Sequence, residues 1–276
     1  MNPLVSIILP TYNGAAFITG AIEGVLAQTY TNWELLIISD GSTDQTKTIV
    51  EDFTKKDPRI FFIENRENSG IQKTLNRGIV LAKGTYVARL DDDDRWTDPE
   101  KLSLQIAFFE TYPDHVLLGT NATVVSLEGE TISKSSMPLT DSAIRSRMLS
   151  KNCFLHATVI IRKKALEKIG GYSEDKKFFH VEDYELWLRL GREGAMANLA
   201  VYSTTLTAHE KSLTSRNRVL QAANMIKAVQ VYRNYYPNFY TGIVVSILRY
   251  LGFAVIKSIP LPKRWFYAIQ RVYKAV

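Results

Sequence analysis

The sequence predicts an α/β fold: a mostly parallel sheet flanked by helices, with a helical extension at the C-terminal end. Three observations predict it. Runs rich in Val, Ile and Leu alternate with helix-spaced segments over the first 95 residues, the pattern of βαβ units and buried parallel strands. Polar residues gather directly after those runs, where open α/β sheets place their ligands. The charge then changes character: no Asp or Glu follows Glu210, but eleven Lys and Arg do.

Taken in order, LVSIIL is a short buried strand bounded by Pro10, and Asn13-Gly14 makes a turn. AAFITGAIEGVLAQT carries Phe17, Ala21, Val25 and Gln28 at helical spacing. WELLIIS is a second buried strand, and Ser42 to Asp44 supply caps for the helix holding Ile49, Val50 and Phe53. RIFFIE, a helix over 68–82 and the strand TYVARL complete the regular part. Beyond it the spacing predicts a helix over 101–111, a strand over VLLGTNATVVSL and a turn at Glu128-Gly129. A helix over 143–149, the strand HATVIIR and a short helix stopped by Gly170-Gly171 come next. EDYELWLRLGREG reads as a helix with Leu186, Leu190 and Trp187 facing inward, NLAVYSTTLTAH as a strand, and a long helix runs from 215 to about Tyr235.

The 276 residues, 46% of them hydrophobic, suffice for one large domain with an appendage. A single cysteine, Cys153, makes no internal disulfide and suits a reducing compartment. The start, MNPLVSIILPTYN, lacks the basic region and long apolar run of a signal peptide, and no apolar stretch has the length of a spanning helix. The body up to residue 210 holds 23 basic and 28 acidic residues, so an acidic-leaning body carries a purely basic tail. Such a tail seeks an anionic partner.

The first strands end in Thr11-Tyr12-Asn13, Ser39-Asp40 and the quartet Asp91, Asp92, Asp93 and Asp94. Four adjacent carboxylates repel one another unless a cation stands among them. A solvated acidic loop is one reading. The pattern argues against an EF-hand, because its glycine is missing and Arg95-Trp96 interrupt the ligand spacing. Mg²⁺ or Mn²⁺, held by one or two carboxylates and completed by substrate phosphates, fits better. Neither the dinucleotide-binding nor the P-loop glycine pattern occurs.

The ordered segments SIILPTYNG, IISDGSTD, ENSGIQKTLNRGI, GTYVARLDDDD, LHATVIIRKKALEKIGGY, VEDYELWLRL and AHEKSLTS resemble the family 2 glycosyltransferases of the GT-A fold. The resemblance covers roughly residues 4–215. It implies transfer of a sugar, with inversion, from a nucleotide-diphosphate donor, assisted by a divalent metal, Mn²⁺ or Mg²⁺. It implies Asp91 and Asp93 as the two carboxylates of the metal motif, with Asp93 the direct ligand and Asp91 holding ribose or metal. Asp92 is the middle position. Asp40 is matched to the residue that accepts from the nucleotide base, with Pro10, Thr11 and Tyr12 lining the same pocket. Residues alone read Asp40 as the partner of a helix N-terminus.

The resemblance makes Asp183 the base that takes the acceptor hydroxyl's proton, with Glu182 orienting it or binding the acceptor. Without it, both are ordinary acidic residues at a helix start. His209 is implied as a third metal ligand. His156 stands either near the acceptor or in the core as a structural histidine, and both readings stay open. Lys211 and Arg216 are diphosphate contacts on charge alone.

These expectations make residues 1–215 a GT-A catalytic domain and 216–276 a basic amphipathic extension. The donor is expected to be a UDP-sugar, and the acceptor a saccharide or lipid-linked saccharide of surface polysaccharide synthesis. The extension, including KRWFYAIQRVYKAV, carries apolar stripes, aromatic residues and only basic charge. That composition suits an anionic membrane surface, with the enzyme cytoplasmic and peripheral at the inner face and no nucleic acid bound. Two rivals are a sugar-nucleotide nucleotidyltransferase and a non-catalytic glycan- or nucleic-acid-binding protein. The first lacks its basic glycine-rich loop, since PTYNGAAF has no Lys or Arg. The second leaves the match at Asp93 and Asp183 without a reason.

Overall fold

A computed structural model gives the fold and describes residues 2–209 and 217–258. Three βαβ units open the chain: β1 (Val5–Thr11), α1 (Ile18–Leu26), β2 (Trp33–Ser39), α2 (Thr46–Thr54), β3 (Ile60–Glu64), α3 (Ile71–Leu81) and β4 (Tyr86–Arg89). The short β5 (Arg95–Trp96) and α4 (Lys101–Thr111) lead to the long β6 (His115–Val125) and β7 (Thr131–Lys134). Then come α5 (Asp141–Arg145), β8 (Ile160–Arg162), α6 (Lys163–Ile169), α7 (Glu182–Leu190) and β9 (Ala195–Thr207). The extension forms α8 (Arg218–Val231) and α9 (Phe239–Ser258).

All nine strands join one sheet in the order β3-β2-β1-β4-β8-β6-β9-β5, with β7 on β6. The half built from β1 to β4 is parallel. The other half is mixed: β8 runs antiparallel to β4 and β6, β9 parallel to β6, and β5 antiparallel to β9. Helices cover both faces. Along β1, Val5, Ile7 and Leu9 enter one core with Ile22, Trp33 and Trp96. Ile8 enters the other with Leu75, Phe154 and Trp187. The two-residue period of a strand produces this division. Gly78 lets α3 lie close on the sheet, since a Cβ there would stand 2.6 Å from Ile8 and 2.7 Å from Ile38.

Two expected elements differ. HATVIIR is a strand only from Ile160, because residues 156–158 form a 3-10 turn in which Thr158 donates from both N–H and hydroxyl to the Leu155 carbonyl. The helix over 143–149 begins earlier, at Asp141 behind the Thr140 cap, and gives way to tighter turns after Arg145.

The extension helices pack on the body. Met225, Ala228, Val229, Tyr232 and Tyr236 enter the core around Trp187, and Tyr232 Oη donates to Glu185 at 2.6 Å. Gly242 and Ser246 of α9 are buried, and a Cβ at Gly242 would meet the Leu149 backbone at 2.6 Å. Among the described residues no helix is long and apolar enough to cross a membrane. The stripe expected over 263–276 lies outside them.

Candidate active site

The parallel half delivers β1, β2 and β4 to one rim, and the polar residues meet there. Asp40, one step past β2, is buried among four donors. Its Oδ1 accepts from Asn65 Nδ2 (2.8 Å), Ser69 N–H (2.9 Å) and Ser69 Oγ (2.9 Å), and its Oδ2 from Gly70 N–H (2.9 Å). Burial opposes its charge, but hydrogen bonds from Ser69, Asn65 and Gly70 outweigh that and hold it below the usual carboxylate range. The helix start it serves is that of α3, not of the helix following Gly41. Pro10 and Thr11 are buried at the end of β1, while Tyr12 is half exposed.

The quartet is splayed, each carboxylate toward a different partner. Asp91 pairs with Arg89 at 2.5 Å. Asp92 accepts from Thr11 Oγ1 at 2.6 Å. Asp93 meets His209 Nε2 at 2.8 Å, across 116 positions of chain. Asp94 accepts from the Thr207 N–H at 3.0 Å. Arg89, 3% exposed, is a buried cation that answers the repulsion at Asp91. Burial works against the Asp91 charge, yet the Arg89 guanidinium keeps its carboxyl below the ordinary range. Asp92 goes the other way, pushed up to about 7 by burial and, despite the Thr11 bond, by the neighbouring Asp93 and Asp91 charges. Gly14 makes the Thr11–Asp92 contact possible, since a Cβ there would stand 2.2 Å from Asp92 Oδ2 and 2.4 Å from Thr11 Oγ1.

Glu182 and Asp183 open α7 within the field of Asp91. Asn152 Nδ2 donates to Asp183 Oδ2 at 3.0 Å. Burial raises the Asp183 carboxyl above its ordinary value, and the Asp91 charge adds to the rise, against bonds from Tyr184 N–H and Asn152. Glu182 is pushed up to about 7 by burial and by Asp183. The helix start does not hold this pair firmly ionised; burial raises both carboxyls, the direction a proton acceptor needs. His156 Nε2 lies 2.7 Å from Tyr172 Oη, with its ring edge-on to Trp187. Burial and then Arg89 push it down to about 3, so it is neutral. Tyr172 stands in the fields of Arg89, Asp183, Glu182 and Asp91, which joins the quartet to the α7 carboxylates.

Among the described residues no three His, Cys, Asp or Glu side chains form a metal cage. Asp93 and His209 bring one carboxylate and one imidazole together, and the His209 ring is stacked on Phe17 at 5.2 Å. This donor set fits Mg²⁺ or Mn²⁺, which take few protein ligands and complete their shell with water and phosphate oxygens. Arg89, Asn152 and Tyr172 were not singled out by sequence reasoning. Only Arg89 carried a signal, a lone cation inside a strand that ends in four acids. Lys211 and Arg216 lie outside the described residues.

The family model described as Glycosyl transferase family 2 matches residues 6–170. The chain is 33% identical over 190 residues to the Escherichia coli UDP-Glc:alpha-D-GlcNAc-diphosphoundecaprenol beta-1,3-glucosyltransferase WfgD, covering 68% of this chain and 69% of that one. Among solved structures it resembles S. aureus TarS in complex with UDP-GlcNAc, with a TM-score of 0.69 at 22% identity over 90% of this chain and 73% of that chain. It also resembles the mannosyltransferase PcManGT from Pyrobaculum calidifontis in complex with GDP-Man and Mn²⁺, with a TM-score of 0.67 at 16% identity over 99% and 81% of the two chains.

Proposed function

The chain belongs to glycosyl transferase family 2, and we propose that it moves a sugar, with inversion, from a UDP-sugar to a hydroxyl of a lipid-linked saccharide. The observation that carries this reading is the convergence at one rim of the anionic Asp40, the Asp93–His209 pair and the Glu182–Asp183 pair, whose carboxyls burial raises. Asp40 spends both oxygens on the start of α3, and Oδ2, with a single donor, retains a lone pair for the nucleotide base. Pro10, Thr11 and Tyr12 line the base pocket. Asp92, through Thr11, ties that pocket to the quartet. Asp93 and His209 would hold the divalent metal, and Arg89 keeps Asp91 beside them. The metal, when bound, neutralises negative charge on the departing diphosphate.

Asp183 accepts the proton of the acceptor hydroxyl as that oxygen attacks the anomeric carbon and the nucleoside diphosphate leaves. Asn152 fixes its orientation, and burial together with the Asp91 charge raises its affinity for a proton. His156, neutral and bonded to Tyr172, shapes the acceptor wall. The relative WfgD is named for a UDP-glucose donor and a diphosphoundecaprenol-linked acceptor, which supports the donor and acceptor classes. The place of action follows: peripheral, at the inner face of the membrane. The outward side of α9 presents Tyr240, Val244, Leu248, Leu251 and Val255, an apolar stripe suited to an anionic bilayer surface.

Incubation with a panel of sugar nucleotides and a lipid-linked acceptor tests the reading. Acceptor-dependent UDP release is expected, abolished by chelation and restored by Mn²⁺ or Mg²⁺. Full activity after exhaustive chelation, or no release from any UDP-sugar, overturns it.

A further inference from the structure

Three cations border the acceptor side without serving the chemistry above. Arg147 and Lys151 sit on one turn, closed by the bond from Lys151 N–H to the Arg147 carbonyl at 2.9 Å. Arg249 reaches the same turn from α9, its Nη1 donating to the Ser150 carbonyl at 2.7 Å. Asn238 Nδ2 holds the start of α9 to the Ser146 carbonyl at 2.9 Å. The next residue along is Asn152, which grips Asp183. The turn is thus fastened at one end to the α9 helix and at the other to the candidate base.

Nothing acidic balances it. Among the described residues no carboxylate forms an ion pair with Arg147, Lys151 or Arg249, whereas Arg89, Arg145 and Arg189 each have one. Lys151 is half-buried. Burial lowers its affinity for a proton, and repulsion from Arg249 and Arg147 lowers it further. Like charges held together at a half-buried position are stabilised by an anion of matching valence. Arg249 is followed around α9 by Leu248 and Gly252, both exposed, and then by the apolar stripe. A multivalent anion joined to a long apolar chain is complementary to that sequence of surfaces.

We propose that Arg147, Lys151 and Arg249 form a subsite for the diphosphate of a polyprenyl-diphosphate-linked acceptor, whose lipid follows the exposed face of α9 and whose sugar is thereby placed at Asp183. The inference rests on the reading of Asp183 as the acceptor-side base. It assigns to the acceptor a phosphate site separate from the metal-assisted site for the donor diphosphate.

Binding of farnesyl diphosphate, farnesol and pyrophosphate to the full chain, saturated with UDP and free of metal, tests it by calorimetry. The variants are the double substitution R147A/K151A and, because Arg249 also fastens α9, R249K in place of R249A. Farnesyl diphosphate should bind the wild type at least tenfold more tightly than farnesol. R147A/K151A should lose about 10- to 100-fold for farnesyl diphosphate and nothing for farnesol, with UDP affinity unchanged. Equal affinity of wild type and double variant for farnesyl diphosphate overturns the subsite. So does a parallel, equal loss in binding to phosphatidylglycerol vesicles, which would make the cations a general headgroup contact. UDP-sugar turnover is read separately: its absence beside intact farnesyl diphosphate discrimination sinks the transfer reading and leaves the anion site standing.

Discussion

Asp40 and Asp183 are both aspartates beside a helix N-terminus, and the fold treats them oppositely. Asp40 receives four donors from Asn65, Ser69 and Gly70 and is held ionised. Asp183 has the Asn152 amide and its own helix start, but it is buried beside Glu182 and within the field of Asp91, and its carboxyl is raised. A helix dipole alone therefore decides little. The balance of donors against burial and neighbouring charge separates a carboxylate that holds still from one that can take a proton.

The largest expected effect tests the Asp183 side. Asp183→Asn preserves shape but accepts no proton, so turnover should fall about 10²–10⁴-fold with UDP affinity nearly unchanged. Parallel loss of UDP binding in calorimetry would erase the contrast with Asp40. Next is Arg89→Met, which strands Asp91 without its cation and should cost about 3 kcal/mol in urea unfolding. An unchanged urea midpoint would mean that Arg89 is not the counter-charge.

On the other side, Asp40→Ala leaves the Ser69 and Gly70 N–H groups unanswered and should cost about 1–3 kcal/mol while weakening UDP binding. Because the folded carboxyl is lowered, the Asp40 contribution is complete above the unfolded value of about 3.9 and disappears as pH falls through the lower folded one. Wild type and Asp40→Ala should converge in stability on acidification. Asp91→Asn removes a charge that raises Asp183, so the acid limb of kcat/KM should move to lower pH, by less than about one unit. A limb that stays in place would separate the two carboxylates.

The smallest effect lies far from both. Lys101 is fully buried, its ammonium against the Trp96 ring and bonded to Gln105 at 2.7 Å. Burial pushes it down to about 7, against about 10.4 unfolded. Between those values the unfolded chain keeps a proton that the folded chain releases, so stability rises with pH there. From pH 7 to 8.5 wild type should gain roughly 1 kcal/mol over Lys101→Met. Equal gains would show that Lys101 is charged in the fold.

Much of this was legible in the sequence. WELLIIS and the helix over 101–111 match the observed bounds, because runs of apolar residues between turn formers leave few alternatives. The mixed half of the sheet was less legible. HATVIIR reads as one strand by composition, yet a local turn at Thr158 and the Trp96 ring N–H on the Ala157 carbonyl at 2.9 Å pull its first residues out of the sheet. Composition carries the average preference of a residue, not the partner that competes for its backbone.

The sequence by itself determined which residues reach the rim: strands one, two and four must end in polar side chains, and parallel order puts those ends together. It also posed the alternatives for the quartet, a cation among the carboxylates or protonation of some of them. Tertiary structure alone decided how the four aspartates divide. Arg89 is two positions from Asp91, but Thr11 is 81 positions from Asp92, His209 is 116 from Asp93 and Thr207 is 113 from Asp94. Local spacing sets the direction of a strand and its last residue. Thr11 arrives through the pairing of β1 with β4, and Thr207 and His209 only when β9 pairs with β5 just after the quartet; the same closure fixes which carboxylate stays charged.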